Sequence, residues 1–387
     1  MGKLAVRYGA IAFVSGLLAA VAVAACSSSE ATSDGVVGDG GAFSDARGPD
    51  GGVSIADAAA GAFLEATGIV LVHAAAFPAF RVCFEGAPGD LPAPSTDLLP
   101  ESNLVGVDVG TAVRLPARPE TLGTAFVVPE ERLRSLYPVF GGSGPSCGDV
   151  LEGVKAYAVN VGVVDADLSR GVHALVLTGC LPQASDAVAS VDRCGPDWTA
   201  AAGNLKLTTL SLMAYARAGD TRLSVQLVQL SPALQRMAQG RALGVAFGPL
   251  EAGAPTPFVE GAVPFGEAVP NPPAILDYAA ADIESYATSG VFVTLGGAVD
   301  DAGAPLPGDA SVARQVVVSQ SLAEIQKRSA PRSLPADWFS AASSYVVLSV
   351  GDTDPRLQDG GADGDPRRAL HLLAIPLATP EDVDAGP

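Results

Sequence analysis

Short apolar segments separated by turn-forming residues run along most of the chain. The segments are rich in Val, Leu and Ile and are bounded by Gly, Pro, Asp and Ser, which is typical of β-strands. Within 205–209, Leu and Thr side chains alternate with Lys206 and Thr208, as expected of a strand with one buried face. Further strands are predicted at 69–72, 154–164, 313–319 and 345–350.

Helical signals are few. Ser321 and Glu324 form a capping box before an apolar residue, which predicts a short helix there. A second helix is predicted from Pro129 toward Leu136, and a third start at 333–338. Many short strands with Gly- and Pro-rich turns predict a mainly β protein built from antiparallel β-sandwiches with a few short helices.

The strand pattern repeats itself once along the chain. Four pairs of similar segments recur in the same order, and this collinear order is the evidence for a duplication. The pairs are 71–73 with 227–229, 82–84 with 245–247, 172–179 with 344–351, and 205–212 with 370–377. We therefore predict two tandem β-sandwich domains, at 67–219 and 220–379, followed by a disordered tail at 380–387.

The first 25 residues have the features of a secretory signal. Lys3 and Arg7 precede an apolar run at 9–25 that contains a single polar residue, Ser15. A basic start, an apolar middle and small residues at the end are the three parts of such a signal. An uncleaved membrane helix is the alternative, but the run is at the lower length limit for a span and no basic stop-transfer cluster follows it.

The segment 23–26, with the sequence VAAC, resembles the lipobox of bacterial lipoproteins. This resemblance implies that residues 1–25 are removed, that Cys26 is acylated with palmitate or a similar chain, and that the acylated N-terminus attaches the protein to a membrane. Ser27 stands where an Asp would retain a lipoprotein in the inner membrane. The expected location is therefore the cell envelope, at the outer membrane more than the inner, on the periplasmic or surface side.

Residues 26–66 are rich in Gly, Ser and acidic residues and contain few aromatics. Such a segment cannot bury enough apolar surface to offset its chain entropy, so a flexible linker is predicted. Its Asp-Gly pairs raise a calcium-binding alternative. A calcium loop, however, needs tight spacing and a bidentate Glu, which this segment lacks.

The run 69–86 resembles the opening of the domain of unknown function 4397. The residues that carry the resemblance are His73, Pro78, Val82, Phe84 and Gly86. The second copy keeps Ser231-Pro232 but has Gln229 in place of the His, and it differs by insertions such as 235–241. The resemblance implies immunoglobulin-like sandwiches, often in tandem, in exported proteins. It implies no activity, because the family has none established.

Besides Cys26, all the cysteines lie in the first predicted domain, at Cys83, Cys147, Cys180 and Cys194. An even number in an exported protein predicts two disulfides, for which three connectivities exist. Because Cys180 and Cys194 flank a single loop between two strands, we favour Cys180–Cys194 and Cys83–Cys147. A zinc site is the alternative, but the spacing lacks close Cys pairs. We expect reduction to destabilise the first domain alone.

Signals for chemistry are sparse. The net charge of −19 argues against nucleic-acid binding, which depends on clustered Lys and Arg. His73, His173 and His371 all fall on predicted strands, and no nucleophile elbow, phosphate loop or zinc-protease motif accompanies them. We therefore predict no catalytic residue, no cofactor and no metal site.

Two classes of function remain. The first is a non-enzymatic envelope lipoprotein that acts in binding, adhesion or scaffolding, with an unknown protein or carbohydrate ligand. The alternative is an envelope hydrolase acting on polysaccharide or peptide, with its site scattered over loops. A cleft in which His73 or His173 meets an acid and a Ser would favour the hydrolase. Trp198 and Trp338 are candidates for stacking on sugars, although packing is the favoured role for both.

Overall fold

Strands dominate the part of the chain that the computed structural model describes, and its helices are short. The described residues are 63–65, 68–85, 106–115, 123–136, 146–153, 158–164, 171–182, 191–212, 222–251, 256–277, 288–298, 315–329, 344–354, 357 and 366–380. The signal segment, Cys26, most of the linker, the helix start predicted at 333–338 and the last seven residues lie outside them.

Two runs of strands, separated at about residue 220, make up the described chain. The strands are β1 (Phe63–Glu65), β2 (Gly68–His73), β3 (Phe80–Glu85), β4 (Ala112–Leu115), β5 (Gly123–Pro129), β6 (Val159–Val164), β7 (Val172–Thr178), β8 (Lys206–Leu212), β9 (Arg222–Gln229), β10 (Arg241–Pro249), β11 (Thr256–Gly261), β12 (Ala268–Asp277), β13 (Ser289–Ala298), β14 (Gln315–Ser321), β15 (Ser344–Val350) and β16 (His371–Pro380). The mainly β prediction is confirmed.

The five described α-helices are α1 (Glu130–Leu136), α2 (Cys147–Gly153), α3 (Val191–Cys194), α4 (Pro232–Met237) and α5 (Leu322–Ser329). Both helices predicted in the described part are present, and the backbone N–H of Glu324 donates to Ser321 Oγ as the capping box requires. Helix α4 was not predicted, although Ser231 is its N-cap and Pro232 its first residue, which is a recognisable helix start.

Each half of the molecule contributes a pair of sheets. In the first half, residues 68–212, the strand orders are β4-β2-β7-β8 and β3-β5-β6. In the second half, residues 222–380, they are β12-β9-β15-β16 and β11-β10-β13-β14, with β1 added beside β16. The two halves therefore share one strand order, apart from the added β1 and β11.

The repeated segments occupy corresponding places in these sheets. Leu71 pairs with Leu175 between β2 and β7, and Leu227 pairs with Val347 between β9 and β15. These two strand pairs are parallel, whereas the other pairs of named strands are antiparallel. Between β2 and β7 the chain forms the other sheet of its half and also β4, and between β9 and β15 it forms the other sheet and also β12. These long connections supply the crossover that parallel pairing needs.

Each half has an apolar core of its own. In the first, Leu71, Val82 and Val127 belong to one buried cluster, and in the second Leu227, Val245 and Val293 belong to another. Successive side chains of a strand point to opposite faces of its sheet. The alternate residues of β2 and β15, such as Val72 and Val346, must therefore be buried against something else.

A third buried cluster, the junction core, joins the two halves. Its main members are Val70, Val72, Val172, Ala174 and Val176 from β2 and β7, with Val346, Leu348, Val350, Leu373 and Ile375 from β15 and β16. These strands are therefore covered on both faces, which explains why every residue of β7 and of β15 is buried. Residues 53–387 consequently form one compact unit. The predicted boundary at 219–220 lies outside the described residues.

The linker prediction ends too late. Phe63–Glu65 falls in the segment predicted to be flexible, yet it forms β1 and pairs with the end of β16, Phe63 opposite Pro380. The physical reason is that β16 would otherwise be an edge strand with unpaired backbone groups, which readily accept another strand. The same pairing extends β16 one residue beyond the predicted end of the second domain.

Candidate functional site

Both disulfides form with the favoured connectivity. Cys83 is bonded to Cys147 and Cys180 to Cys194, with a Cα–Cα distance of 5.4 Å in each case. The first ties β3 to α2, and the second ties the end of β7 to α3. The predicted pairing is therefore confirmed, and the loop between Cys180 and Cys194 is fixed at both ends.

Asn204 holds the backbone around the second disulfide. Its Oδ1 accepts from the backbone N–H of Cys180 at 2.9 Å, and its Nδ2 donates to the carbonyl of Cys194 at 2.7 Å. Gly179 has φ +86°, and a Cβ there would collide with the Asn204 backbone. Trp198 packs against the disulfide and donates its indole N–H to Leu181 O at 3.2 Å. It therefore has the packing role that the sequence favoured.

Helix α3 links this disulfide to the second half. Arg193 lies 2.6 Å from Asp352 and 3.0 Å from Asp354, and these side chains are largely shielded from solvent. Charge-assisted contacts of this kind are stronger than neutral hydrogen bonds. A second ion pair joins Asp192 of α3 to Arg236 of α4, but both side chains are exposed, so it adds little. The ion pairs of Arg193 therefore join α3 to the second half, and α3 lies in contact with α4 at the junction.

A cleft of about 860 Å³ opens beside α3 and α4. We call it the junction cleft, because both halves form its walls. The first half contributes Thr178, Gly179, Val191, Cys194, Gly195, Pro196, Asp197, Asn204 and Lys206, and the second contributes Pro232, Gln235, Arg236, Gln239 and Phe265. Its volume lies in the range typical of small-molecule sites, roughly 300–1,000 Å³.

The walls of the junction cleft combine amide, charged and aromatic groups. Phe265 is 40% exposed and supplies the aromatic group. The amide oxygen of Gln235 is buried and has no hydrogen-bond partner among the described residues. Lys206 and Asp197 are exposed at the rim. No spacing motif in the sequence connects these residues, so the cleft could not be predicted from the sequence.

Two of the three His side chains are held by backbone carbonyls. His73 Nε2 lies 3.0 Å from Pro78 O, and His371 lies 2.7 Å from Gly110 O and 2.6 Å from Ala369 O. Burial lowers the pKa of each ring to about 4. Both rings are therefore neutral at pH 7. A neutral ring carries one N–H, so His371 donates to only one of its two carbonyl neighbours. The ring lies between Gly110 of the first half and Ala369 of the second, and so it links the two halves.

The third ring, His173, contacts a hydroxyl. Ser211 Oγ lies 3.3 Å from His173 Nδ1, with the ring buried and the serine exposed. A hydroxyl and an imidazole are two members of a nucleophilic triad. Neither residue is among the described residues that line the junction cleft, so this cleft does not show the arrangement of His, Ser and acid that would favour the hydrolase alternative.

A second, smaller cavity lies between His73, Arg193 and Arg368, and its volume is about 40 Å³. This is room for a few water molecules and too little for an organic ligand. The described residues contain no group of three or more His, Cys, Asp or Glu that could hold a metal ion. The acidic Asp-Gly segments considered for calcium lie outside the described residues.

None of the described helices combines the length and apolarity needed to cross a bilayer. Comparison with protein-family models gives no match, and comparison with curated proteins gives no significant match either.

Proposed function

We propose that this chain is a lipid-anchored protein of the bacterial cell envelope that binds a ligand through its β body and catalyses no reaction. The observation that carries the binding role is the junction cleft, whose size and mixed lining suit a ligand site. The anchoring role depends on the VAAC segment at 23–26 and the apolar run before it.

Acylation of Cys26 would supply the attachment. A single acyl chain holds a protein only marginally at a membrane, whereas several chains together hold it stably. The chain's net charge of −19 opposes adhesion to anionic headgroups, so the lipid must supply the attachment. Ser27 after the acylated residue favours the outer membrane. The linker would then hold the β body away from the membrane surface.

We further propose that the two halves are tandem immunoglobulin-like sandwiches related to the domain of unknown function 4397. Their common strand order supports this. A second similarity concerns the last residue of the first strand in each half, His73 in β2 and Gln229 in β9. His73 contacts Pro78 O and Gln229 donates to Ser231 O, so each side chain contacts a carbonyl oxygen in the turn that follows its strand. Gln can therefore replace the His in the second copy because either side chain holds this turn.

A non-enzymatic role is favoured over the hydrolase alternative by the setting of the His side chains. His73 and His371 are buried, neutral at pH 7 and in contact with backbone carbonyl oxygens. A backbone carbonyl is neither a nucleophile nor a carboxylate that would orient a catalytic His. Catalysis would require a base close to a reacting hydroxyl and open to substrate. The buried His173 ring does not line the junction cleft.

Replacing Cys26 with Ala is expected to abolish lipid labelling of the protein and to release it from the membrane fraction. The reason is that the thioether and amide bonds to the acyl chains need the Cys side chain and its freed N-terminus. The measurement is metabolic labelling with an alkyne-bearing fatty acid, followed by fractionation of the cells.

Ser27→Ala is the matched control, because it changes the neighbouring residue and leaves the acylated one intact, so labelling should persist. Full labelling of the Cys26→Ala variant, or its unchanged presence in the membrane fraction, would show that the protein is held in some other way.

A further inference from the structure

We propose that the junction cleft binds a neutral oligosaccharide, with one pyranose ring stacked on Phe265 and its hydroxyls bound by the amides of α4. This inference rests on the proposed binding function and names the ligand class for the same site. It is carried by four features of the cleft: fixed walls, an exposed aromatic ring, an unsatisfied buried amide and nearly balanced charge.

The walls are fixed before any ligand arrives. On one side, the Cys180–Cys194 disulfide and the two hydrogen bonds of Asn204 hold the backbone at Cys180 and at Cys194, the last residue of α3. On the other, Ser231 caps α4 through the Leu234 N–H and also donates to Gly351 O. The ion pairs of Arg193 hold the two sides together. A preformed site loses less conformational entropy on binding, which raises its affinity.

Phe265 is presented to the cleft by a fixed backbone. The residue forms a β-bridge with Gln229, and the next N–H, that of Gly266, donates to Gln229 O at 2.9 Å. The main chain is thus secured to β9 while the ring stays 40% exposed in a cleft wall. An exposed aromatic ring can stack on the C–H face of a sugar, because both surfaces are flat and apolar. The hydroxyls at the edge of the sugar then remain free to contact polar groups.

Gln235 supplies the hydrogen-bonding group beside this platform. Its buried amide oxygen has no partner within the described structure, and an unsatisfied buried acceptor costs free energy. A ligand hydroxyl is a donor that would satisfy it, once rotation of the Gln235 side chain brings this oxygen to the surface of the cleft. Gln239, just beyond the end of α4, adds a second, exposed amide to the same lining. Paired planar amides suit a ligand with hydroxyls on adjacent carbons, which can donate and accept in turn.

The charges of the cleft nearly cancel. Lys206 and Arg236 are opposed by Asp197 and by Asp192, which pairs with Arg236. A chain with a net charge of −19 repels anionic ligands over long distances, and this cleft offers no large excess of cations to reverse that. The chemistry therefore favours a neutral polyhydroxylated ligand over an acidic peptide.

The test is calorimetric titration of the full-length chain, kept in a detergent without a sugar headgroup. The probes are maltotetraose, cellotetraose and tetra-N-acetylchitotetraose, with a neutral tetrapeptide and a tetraglutamate peptide as the other ligand class. We expect saturable binding of at least one tetrasaccharide. Phe265→Ala should weaken it by about 10-fold, the upper value for an aromatic contact, and Gln235→Leu should weaken it by a similar factor.

Val163→Ala is the control, because Val163 is 67% exposed on β6 and does not line the cleft. This variant should bind the tetrasaccharide with the affinity of the parent chain. The proposal is overturned if no tetrasaccharide binds, or if both cleft variants bind as tightly as the parent chain. Binding of a peptide alone would also overturn it, while leaving the cleft as a ligand site. Loss of fatty-acid labelling at Cys26, by contrast, bears only on the anchor.

Discussion

Replacing Val346 with Asp is expected to lower the free energy of unfolding by at least about 4 kcal/mol, because an unpaired buried charge is among the most costly single changes. Val346 is fully buried in the junction core, between strands of both halves. Its neighbours there are aliphatic, so no described group of the cluster can pair with a carboxylate. The measurement is urea unfolding of the full-length chain, followed by circular dichroism.

Val316→Asp is the matched control for this substitution. Val316 lies on β14 and is 55% exposed, so the same change there should alter the free energy of unfolding by no more than about 0.5 kcal/mol. If the two variants unfolded at the same urea concentration, Val346 would not be buried between the halves, and the junction core would be wrong.

Acidification from pH 6.5 to pH 4 is expected to destabilise the protein by up to about 3 kcal/mol for each of His73 and His371. The pKa of each ring is lowered to about 4, by burial in both cases and, for His371, also by the nearby charge of Arg328. In the unfolded chain the rings take up protons near pH 6.5, whereas the folded chain keeps them neutral. Between pH 6.5 and pH 4 the unfolded state therefore binds more protons than the folded state. The contribution of the two rings to the free energy of unfolding is fully present above pH 6.5 and is lost as the pH falls.

The check is urea unfolding at several pH values for the parent chain and for a His73→Gln/His371→Gln variant. Gln is chosen because the second copy already has Gln229 at the place of His73. The carboxylates contribute equally to both proteins, so the difference in slope isolates the two rings. An identical decline in stability for parent and variant between pH 6.5 and pH 4 would refute the assignment.

The strands and their repetition could be predicted because they depend on local patterns. The segments 172–179 and 344–351 are continuous apolar runs between turn residues, and both become central strands. The same runs carried a further signal: a strand without alternation is covered on both faces. That signal indicates that a layer packs on each side of the sheet, as the junction core does on one of them. It does not identify the sheet of the other half as the packing partner.

The candidate site could not be predicted from the sequence, because its residues are far apart in the chain. Lys206 and Phe265 belong to different halves, and only the packing of α3 beside α4 brings them to one cleft. No motif spacing encodes that juxtaposition. The disulfide pairing, by contrast, followed from one loop between two strands, and it supports one wall of the cleft.

Our main proposal is that the two halves, which share a strand order, have a common core and act as one body with a ligand cleft at their junction. Its most direct test is scanning calorimetry of the full-length chain with and without reductant. We predict one cooperative transition whose midpoint falls on reduction, since opening the Cys180–Cys194 loop alone removes about 3 kcal/mol. Two separate transitions, of which reductant lowers the midpoint of only one, would contradict the claim. They would show that the molecule consists of two domains that unfold independently.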